Sequence, residues 1–266
     1  MQCLFINNSM SKEKQLKSIG HLLEIMDDLR EKCPWDKKQT FESLKPLTIE
    51  ETYELVDAIS ENNIEEIKNE LGDLLLHIIF YSKIASESNQ FDISDVADGI
   101  SKRLIYRHPH VYNKTEKINE SEVKLNWEKL KLKDGRKSVL QGVPKSLPSI
   151  LKSMRIQQKV SNVGFDWDDK VKVKNKILEE LNELSDELEI GDFKRIEDEF
   201  GDLIFSVINF GRHIGINPDS ALEKTNKKFI KRFMVLENKM KSENKNFQNT
   251  SLDDLNKYWE LVKKKH

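Results

Sequence analysis

Two short acidic patterns in this sequence have the residue types and the spacing of a cation site. In EETYE, Glu51 and Glu54 are three residues apart, and in ELGD so are Glu70 and Asp73. Residues at this spacing share one face of an α-helix, and two antiparallel helices joined near Asn62 would bring the pairs together. Four carboxylates in one small volume repel one another unless a cation lies between them. Oxygen ligands favour Mg²⁺, with Mn²⁺ as a substitute, over zinc.

The whole pattern occurs a second time at a constant offset of 129 residues, the separation of Glu50 from Glu179. The two segments align without a gap, and in both the second acidic pair ends in Gly-Asp followed by an apolar run. One acidic pair on a helix is usually a solvated surface feature, but recurrence of the full set favours a metal site. The second set of metal-ligand candidates is Glu180, Glu183, Glu199 and Asp202.

The residues after Asp73 indicate what kind of ion this would be. The run LLLHIIFY is apolar on nearly every face of a helix, so we expect it to be buried. Carboxylates beside a buried helix need either a raised pKa or a cation. Because Mg²⁺ is commonly shared between protein carboxylates and substrate phosphates, the pattern predicts a phosphate-bearing substrate rather than a structural ion.

The elements that position these residues are expected to be helices. Charged residues make up 34% of the chain, against only 10 glycines and 6 prolines, which favours long amphipathic helices over a turn-rich β-fold. Capping patterns at Thr48, Asn63, Asn217 and Ser251 mark helix starts. The predicted helices are 12–31, 48–61, 64–87, 94–107, 120–133, 147–160, 169–190, 192–214, 218–243 and 252–264.

The repeat also predicts the domain organisation. We expect an all-α protein with two tandem modules of the helical-hairpin, four-helix-bundle type, joined by a helical linker. Gly142, Pro144 and Pro148 interrupt the helical pattern between the modules. The predicted domains are residues 11–113, a linker at 114–148 with one helix, and residues 149–266.

Composition excludes several classes of partner. With 44 Lys and Arg against 46 Asp and Glu, the net charge is -2, so nucleic acid is not expected as the main partner. Two cysteines cannot build a disulfide framework, which favours a reducing compartment such as the cytoplasm. No segment approaches the roughly 20 apolar residues of a membrane helix, so a membrane protein is not expected.

Five motifs in fixed order make the sequence resemble a known family. They are CPWDKKQTF, TIEETYEL, ELGDLLL, RHPHVY and GFDW. The sequence from about Ser11 onward resembles the MazG family of all-α nucleoside triphosphate pyrophosphohydrolases. The resemblance implies an enzyme of two modules, usually a homodimer, that uses Mg²⁺ to cleave NTPs or dNTPs to the monophosphate and pyrophosphate. It also suggests a house-cleaning or stress-linked role in nucleotide pools.

The same resemblance implies roles for individual residues. It gives the better-established active site to the second module, where Glu180, Glu183, Glu199 and Asp202 bind magnesium and Glu179 and Asp198 support them. Glu180 is nominated, weakly, as general base. The first-module quartet of Glu51, Glu54, Glu70 and Asp73 is intact, and whether it turns over is left open. The phosphate-contacting and nucleotide-contacting positions carried over are Lys176, Arg195, Lys228, Arg232, Lys131 and Trp259.

Two departures from the family pattern weaken particular assignments. The family has Lys more often than Arg at position 195, and Glu more often than Asp at position 198, so the contact of Asp198 is in doubt. Since most expected contacts are to phosphates, which all nucleotides share, broad base tolerance is predicted.

Other residues admit a second interpretation. His108 and His110 have metal-ligand spacing, but Pro109 ends the helix before them, which favours a helix C-terminal cap. Trp35 and Trp167 are expected to be hydrophobic anchors of the loops that precede the two hairpins.

Two rival functions are consistent with clustered carboxylates. A di-iron bundle requires Glu-x-x-His twice, whereas Asp73 and Asp202 stand at those histidine positions. A helical regulatory or scaffolding protein, in which the acidic clusters hold structural metal, is the non-enzyme alternative. Release of pyrophosphate from a nucleotide distinguishes the enzyme from the scaffold.

Overall fold

The computed structural model describes residues 2–112 and 137–264, with side chains from residue 11 onward. Within these ranges the chain is helical and contains no β-strand, as the sequence predicts. The chain divides into two compact units between residues 117 and 118. None of the described helices is both long enough and apolar enough to cross a bilayer.

The first unit contains helices α1 to α5. Their bounds are α1 Gln2–Lys32, α2 Phe41–Glu61, α3 Ile64–Glu87, α4 Ile93–Arg107 and α5 Pro109–Tyr112, with a short 3₁₀ helix at Asp36–Lys38 before α2. The second unit contains helices α6 to α10 among the described residues. Their bounds are α6 Ser149–Ser161, α7 Lys170–Ile190, α8 Phe193–His213, α9 Pro218–Ser242 and α10 Leu252–Lys263.

Each unit is built on an antiparallel hairpin closed by a two-residue link. In the first, Asn62 ends α2 in the left-handed conformation (φ 55°), and the side chain of Asn63 accepts a hydrogen bond from the backbone N–H of Glu66. In the second, Gly191 has a φ of 82°, and Asp192 caps α8. Because the links are this short, the paired helices pack side by side, α2 against α3 and α7 against α8.

The predicted start of α2 at Thr48 is wrong. The helix begins seven residues earlier, at Phe41, where Thr40 and Ser43 form a reciprocal capping box. Thr48 lies inside the helix, and its hydroxyl donates to the carbonyl of Leu44 at 3.0 Å. A threonine can satisfy its hydroxyl in this way in a helix interior, so a Thr-x-x-Glu pattern alone does not mark a start. In the same way α1 begins at Gln2 rather than at residue 12.

Apart from α5, which was not predicted, the other described helices begin and end within two residues of their predicted bounds, and Asn63, Asn217 and Ser251 are the N-caps predicted. The linker helix predicted at 120–133 lies outside the described residues. The domain bounds 11–113, 114–148 and 149–266 stay a prediction.

The apolar run after Asp73 is buried on one side only. His77, Ile79 and Phe80 are buried, whereas Ile78 is 48% exposed. The expectation that this run is wholly buried is therefore wrong, because a hairpin covers only one stripe of each helix. The core of the first unit forms where Phe80 and Ile79 meet Met26 and Leu44.

Candidate metal and phosphate site

The second hairpin gathers three carboxylates from two helices. Glu180 projects from α7, and Glu199 and Asp202 project from α8 one turn apart. Each offers an oxygen, and these oxygens all lie within 4.8 Å of one another. Glu180 is only 5% exposed. Three oxygens converging from two rigid helices form a preorganised set of ligands for a hard divalent cation.

The first hairpin repeats this arrangement. Glu51 on α2 and Glu70 and Asp73 on α3 likewise place one oxygen each within 4.8 Å of the others. In both hairpins three of the four predicted ligands converge. The fourth residue, Glu54 or Glu183, lies outside these groups but close by: Glu54 raises the pKa of Glu70, and Glu183 forms a hydrogen bond with Glu180.

The electrostatics of both clusters favour a cation. Burial raises the pKa of Glu199, and the charges of Asp202 and Glu180 raise it further. Burial also raises the pKa of Glu70, with Glu54 and Asp73 adding to the effect. Moreover, Oε2 of Glu70 is buried without a hydrogen-bond partner. A buried acceptor next to like charges is costly, and a bound Mg²⁺ would remove that cost.

A lysine distinguishes the second cluster from the first. Lys176 Nζ lies 2.6 Å from Glu179 Oε1 and 2.7 Å from Glu180 Oε1. The hydrogen bonds that Lys176 donates to Glu179 and then to Glu180 raise the pKa of Lys176 well above its usual range. The position 129 residues earlier is Leu47. The second cluster therefore has a fixed ammonium at its edge, which is a suitable group for binding phosphate oxygens.

The remaining basic candidates are not gathered as closely. Arg195 is exposed and pairs with Glu187 at 3.4 Å and Asp192 at 3.7 Å. Lys228 is exposed on α9, and Arg232, one turn later, is half-buried with Nε lacking a hydrogen-bond partner. An unsatisfied guanidinium nitrogen is available to an anion. Lys131 lies outside the described residues.

Trp259 on α10 is half-buried and packs on Phe229 of α9, with ring centroids 5.0 Å apart. It belongs to an apolar cluster with Leu236, Met240 and Val262. Phe229 follows Lys228 directly in sequence, so the indole lies beside the helix that carries the basic pair.

Sequence reasoning missed Glu187. Its side chain is 17% exposed, its Oε2 is buried without a hydrogen-bond partner, and its charge contributes to the raised pKa of Glu199. Asp198 contributes to the same shift from the exposed surface of α8. The first repeat has Ala58 at the position of Glu187. A comparison of the two repeats for polar residues replaced by apolar ones would have found it.

The loop before the second hairpin is fixed by Asp166. Its carboxylate accepts hydrogen bonds from Arg212 at 2.7 and 2.6 Å, and it lies 2.8 Å from His213 Nε2. In the first unit, Arg30 similarly bonds Glu87 and the carbonyl of Asp36. Ion pairs, rather than the tryptophans, therefore anchor these loops.

The tryptophans of these loops are not buried anchors, contrary to expectation, since Trp35 is 55% and Trp167 42% exposed. Charge-assisted hydrogen bonds hold the loops in place without burying the indoles. His108 is the C-cap of α4, with Nδ1 2.7 Å from the carbonyl of Leu104, as the capping interpretation predicts.

Fold and site together define an all-α protein of two acidic helical hairpins, a class whose converging carboxylates suit a divalent cation. The model of the MazG nucleotide pyrophosphohydrolase domain matches this chain twice, at residues 39–112 and 170–234. The chain belongs to the MazG nucleotide pyrophosphohydrolase family, and it is accordingly an enzyme, a hydrolase. The two matches contain the first and the second carboxylate cluster, respectively.

Three named relatives agree with this assignment, two of them over nearly the whole chain. The nucleoside triphosphate pyrophosphohydrolase of Escherichia coli (strain K12) is 38% identical over 258 residues, which cover 94% of this chain and 98% of that protein. The nucleoside triphosphate pyrophosphohydrolase/pyrophosphatase MazG of Thermotoga maritima is 41% identical over 247 residues, covering 91% and 94%. A nucleoside triphosphate pyrophosphohydrolase of Mycolicibacterium smegmatis is 36% identical over 147 residues, covering 53% and 45%.

Proposed function

We propose that the second module hydrolyses nucleoside triphosphates, NTPs or dNTPs, to the monophosphate and pyrophosphate with Mg²⁺. The observation that carries this proposal is the convergence of Glu180, Glu199 and Asp202 with the ammonium of Lys176 at their edge. A cluster of carboxylates alone would bind a metal. The adjoining fixed cation adds the affinity for phosphate that a nucleotide substrate requires.

Glu180, Glu199 and Asp202 would hold the cation, and Mn²⁺ would substitute for Mg²⁺ because both accept oxygen ligands. When bound, such a cation supplies positive charge against phosphate oxygens and lowers the pKa of a coordinated water. In the proposed reaction water attacks the α-phosphorus and the bond to the α,β-bridging oxygen breaks. One proton leaves the water, and pyrophosphate carries away the bridging oxygen.

The general base is better assigned to Glu183 than to Glu180. The carboxylate of Glu180 belongs to the converging trio, and Lys176 donates to its Oε1 at 2.7 Å, so both contacts position Glu180 as a ligand. Glu183 lies outside the converging trio, and burial followed by its hydrogen bond with Glu180 raises its pKa. A raised pKa makes a carboxylate a stronger proton acceptor at neutral pH. Glu179 orients Lys176, at 2.6 Å.

The basic residues that the family resemblance assigns to phosphate contacts would position the triphosphate. Lys228 and Arg232 are one turn apart on α9, and Arg232 has an unsatisfied Nε. Trp259, beside them, would cover this part of the substrate. Arg195, Lys131 and Asp198 are assigned supporting roles on the family resemblance. Because these groups would contact phosphates, we expect many bases to be accepted, which suits a cytoplasmic house-cleaning or stress-linked role in nucleotide pools.

A nucleotide panel tests this function. We expect the purified protein with Mg²⁺ to release pyrophosphate, and no orthophosphate, from ATP and from other NTPs and dNTPs. Excess EDTA should abolish release, and Mn²⁺ should restore it. Mass spectrometry of the product in ¹⁸O-labelled water should place the label on the nucleoside monophosphate. Absence of pyrophosphate from every nucleotide at any divalent cation tested would instead favour the scaffold interpretation.

We also propose that the chain forms a homodimer through the outer faces of its hairpins. Leu178 and Leu188 on α7 and Phe200 and Val207 on α8 are exposed. The first hairpin exposes apolar residues at the same four positions, Ile49, Ile59, Leu71 and Ile78. Apolar faces of this kind mark interfaces, and a second hairpin would complete a four-helix bundle.

Sedimentation equilibrium checks this association. The expected mass is twice the 31.2 kDa of one chain. Phe200→Glu would put a charge in the proposed interface and shift the mass towards one chain, whereas Glu197→Lys, an exposed charge change on the same helix, would not. A wild-type mass of one chain at micromolar concentration would contradict the dimer.

A further inference from the structure

A partly enclosed cavity of about 170 Å³ adjoins the carboxylates of the second hairpin. Lys176 and Glu180 on α7 and Asp202, Ser206 and Asn209 on α8 are its polar lining residues. Trp167, Val173 and Phe205 supply apolar walls. A water molecule takes about 30 Å³ of liquid, so the cavity has room for several waters or for one heteroaromatic ring. A lining that combines two aromatic rings and a valine with a few polar groups suits the ring better.

The orientation of the Asn209 amide is fixed by its neighbours. Asn209 is 6% exposed, and its Oδ1 accepts hydrogen bonds from Arg212 Nε at 3.2 Å and Nη2 at 2.8 Å. A guanidinium only donates, so the oxygen must face Arg212 and the NH₂ must point away from it. Arg212 is itself held by Asp166. The chain of Asp166, Arg212 and Asn209 therefore holds the NH₂ group facing away from Arg212, in a residue that lines the cavity.

The first repeat has larger side chains at the corresponding positions. At the offset of 129 residues, Asn209 corresponds to Phe80, Ser206 to His77 and Val173 to Leu44. Phe80 and Leu44 are buried in the apolar core of the first unit. The two hairpins thus have equivalent carboxylates but differ in the residues that lie beside those carboxylates. Lys176 and Asn209, which both line the cavity, are features of the second hairpin.

We infer that this cavity binds the nucleobase of the substrate and that Asn209 donates a hydrogen bond to an acceptor on the base. The inference rests on the proposed function, because it requires a nucleotide at the adjoining carboxylates. Each common base offers ring nitrogen or carbonyl acceptors, so one amide donor positions the base without selecting a single nucleotide. Asn209 is thus a substrate-positioning residue, and the first module lacks its equivalent.

The test variant is Asn209→Asp, which keeps the side-chain volume and the acceptor for Arg212 but replaces the NH₂ donor by an anionic acceptor. We expect it to raise the KM for ATP and CTP roughly 10- to 100-fold with a smaller change in kcat, since a lost donor facing a substrate acceptor is strongly penalised. The affinity for inorganic tripolyphosphate, which has no base, should stay within about twofold. Asn238→Asp, the same change at an exposed position on α9, is the matched control and should behave as wild type.

A second variant fills the cavity without touching Arg212. Ser206→His, the residue of the first repeat, should weaken nucleotide binding as Asn209→Asp does. Calorimetry with a nucleotide whose α,β-bridging oxygen is replaced by methylene measures binding without turnover. Unchanged nucleotide affinity in both variants, or equal losses for tripolyphosphate and nucleotide, would overturn the inference. If the wild type binds the analogue but releases no pyrophosphate, the proposed reaction fails while the pocket is still tested.

Discussion

Replacing Asp202 by Asn should lower kcat/KM for pyrophosphate release roughly 10²- to 10³-fold, because a lost cation ligand removes several kcal/mol of transition-state stabilisation. The change keeps the size of the side chain and removes one of the three oxygens that converge within 4.8 Å. It also removes a charge that raises the pKa of Glu199, so the free protein should fold at least as stably. Loss of activity without loss of stability is the expected signature.

Asp73→Asn makes the identical change in the first hairpin and serves as the matched comparison. We expect its kcat/KM to stay within about threefold of wild type, since Leu47 and Phe80 replace the lysine and the donor amide found in the second hairpin. Steady-state kinetics with thermal melting of both variants checks this. Equal large losses in the two variants would show that both modules turn over. Full activity in Asp202→Asn would remove the second cluster from catalysis.

Asp166→Asn should reduce the free energy of unfolding at neutral pH by roughly 2–4 kcal/mol. The carboxylate lies among Arg212, Ser161 and His213, and its side chain is 19% exposed. Burial alone would raise the pKa of Asp166, but hydrogen bonds from these three residues outweigh burial and hold the pKa far below its usual range. The asparagine leaves the Arg212 charge partly buried without its partner, which is the main source of the cost.

The pH dependence of this loss has a defined sign. The folded-state pKa of Asp166 is depressed, so the unfolded carboxylate takes up its proton first as the pH falls. The stabilisation is therefore complete above the unfolded pKa of about 3.9 and declines progressively below it. Urea unfolding of both proteins should show the full difference at pH 7 and a smaller one at pH 3. A difference that grows on acidification would contradict the assignment.

Asp168→Asn is the control for this experiment. Its carboxylate also has a lowered pKa, first through a hydrogen bond from Lys172, but that pair is exposed to solvent. Solvent screens such a pair, so little change in unfolding is expected. Because Arg212 also fixes Asn209, Asp166→Asn should in addition raise the KM for nucleotides more than Asp168→Asn does.

The sequence by itself determined the fold class and predicted four carboxylates in each hairpin, of which three converge. Regular acidic spacing, a repeat at one offset and few glycines and prolines are local properties, and a helix converts spacing directly into a shared face. For this reason Glu180, Glu199 and Asp202 were identified correctly as one converging group. Capping at Asn63, Asn217 and Ser251 was equally local. The N-cap of α2 was predicted wrongly at Thr48, because a threonine can satisfy its hydroxyl within a helix as readily as at the start of one.

Only the tertiary structure decided which carboxylates converge and which residues lie beside them. Glu183 is spaced like a ligand, yet the packing of α7 on α8 leaves it outside the trio and free for another role. The NH₂ group of Asn209 faces away from Arg212 because Arg212, three residues along the chain, donates to the amide oxygen, and Arg212 is set in turn by Asp166 from a separate loop. Burial, unsatisfied atoms and hydrogen-bond direction depend on contacts between segments that are distant in sequence. Residue spacing along one helix therefore cannot predict these contacts.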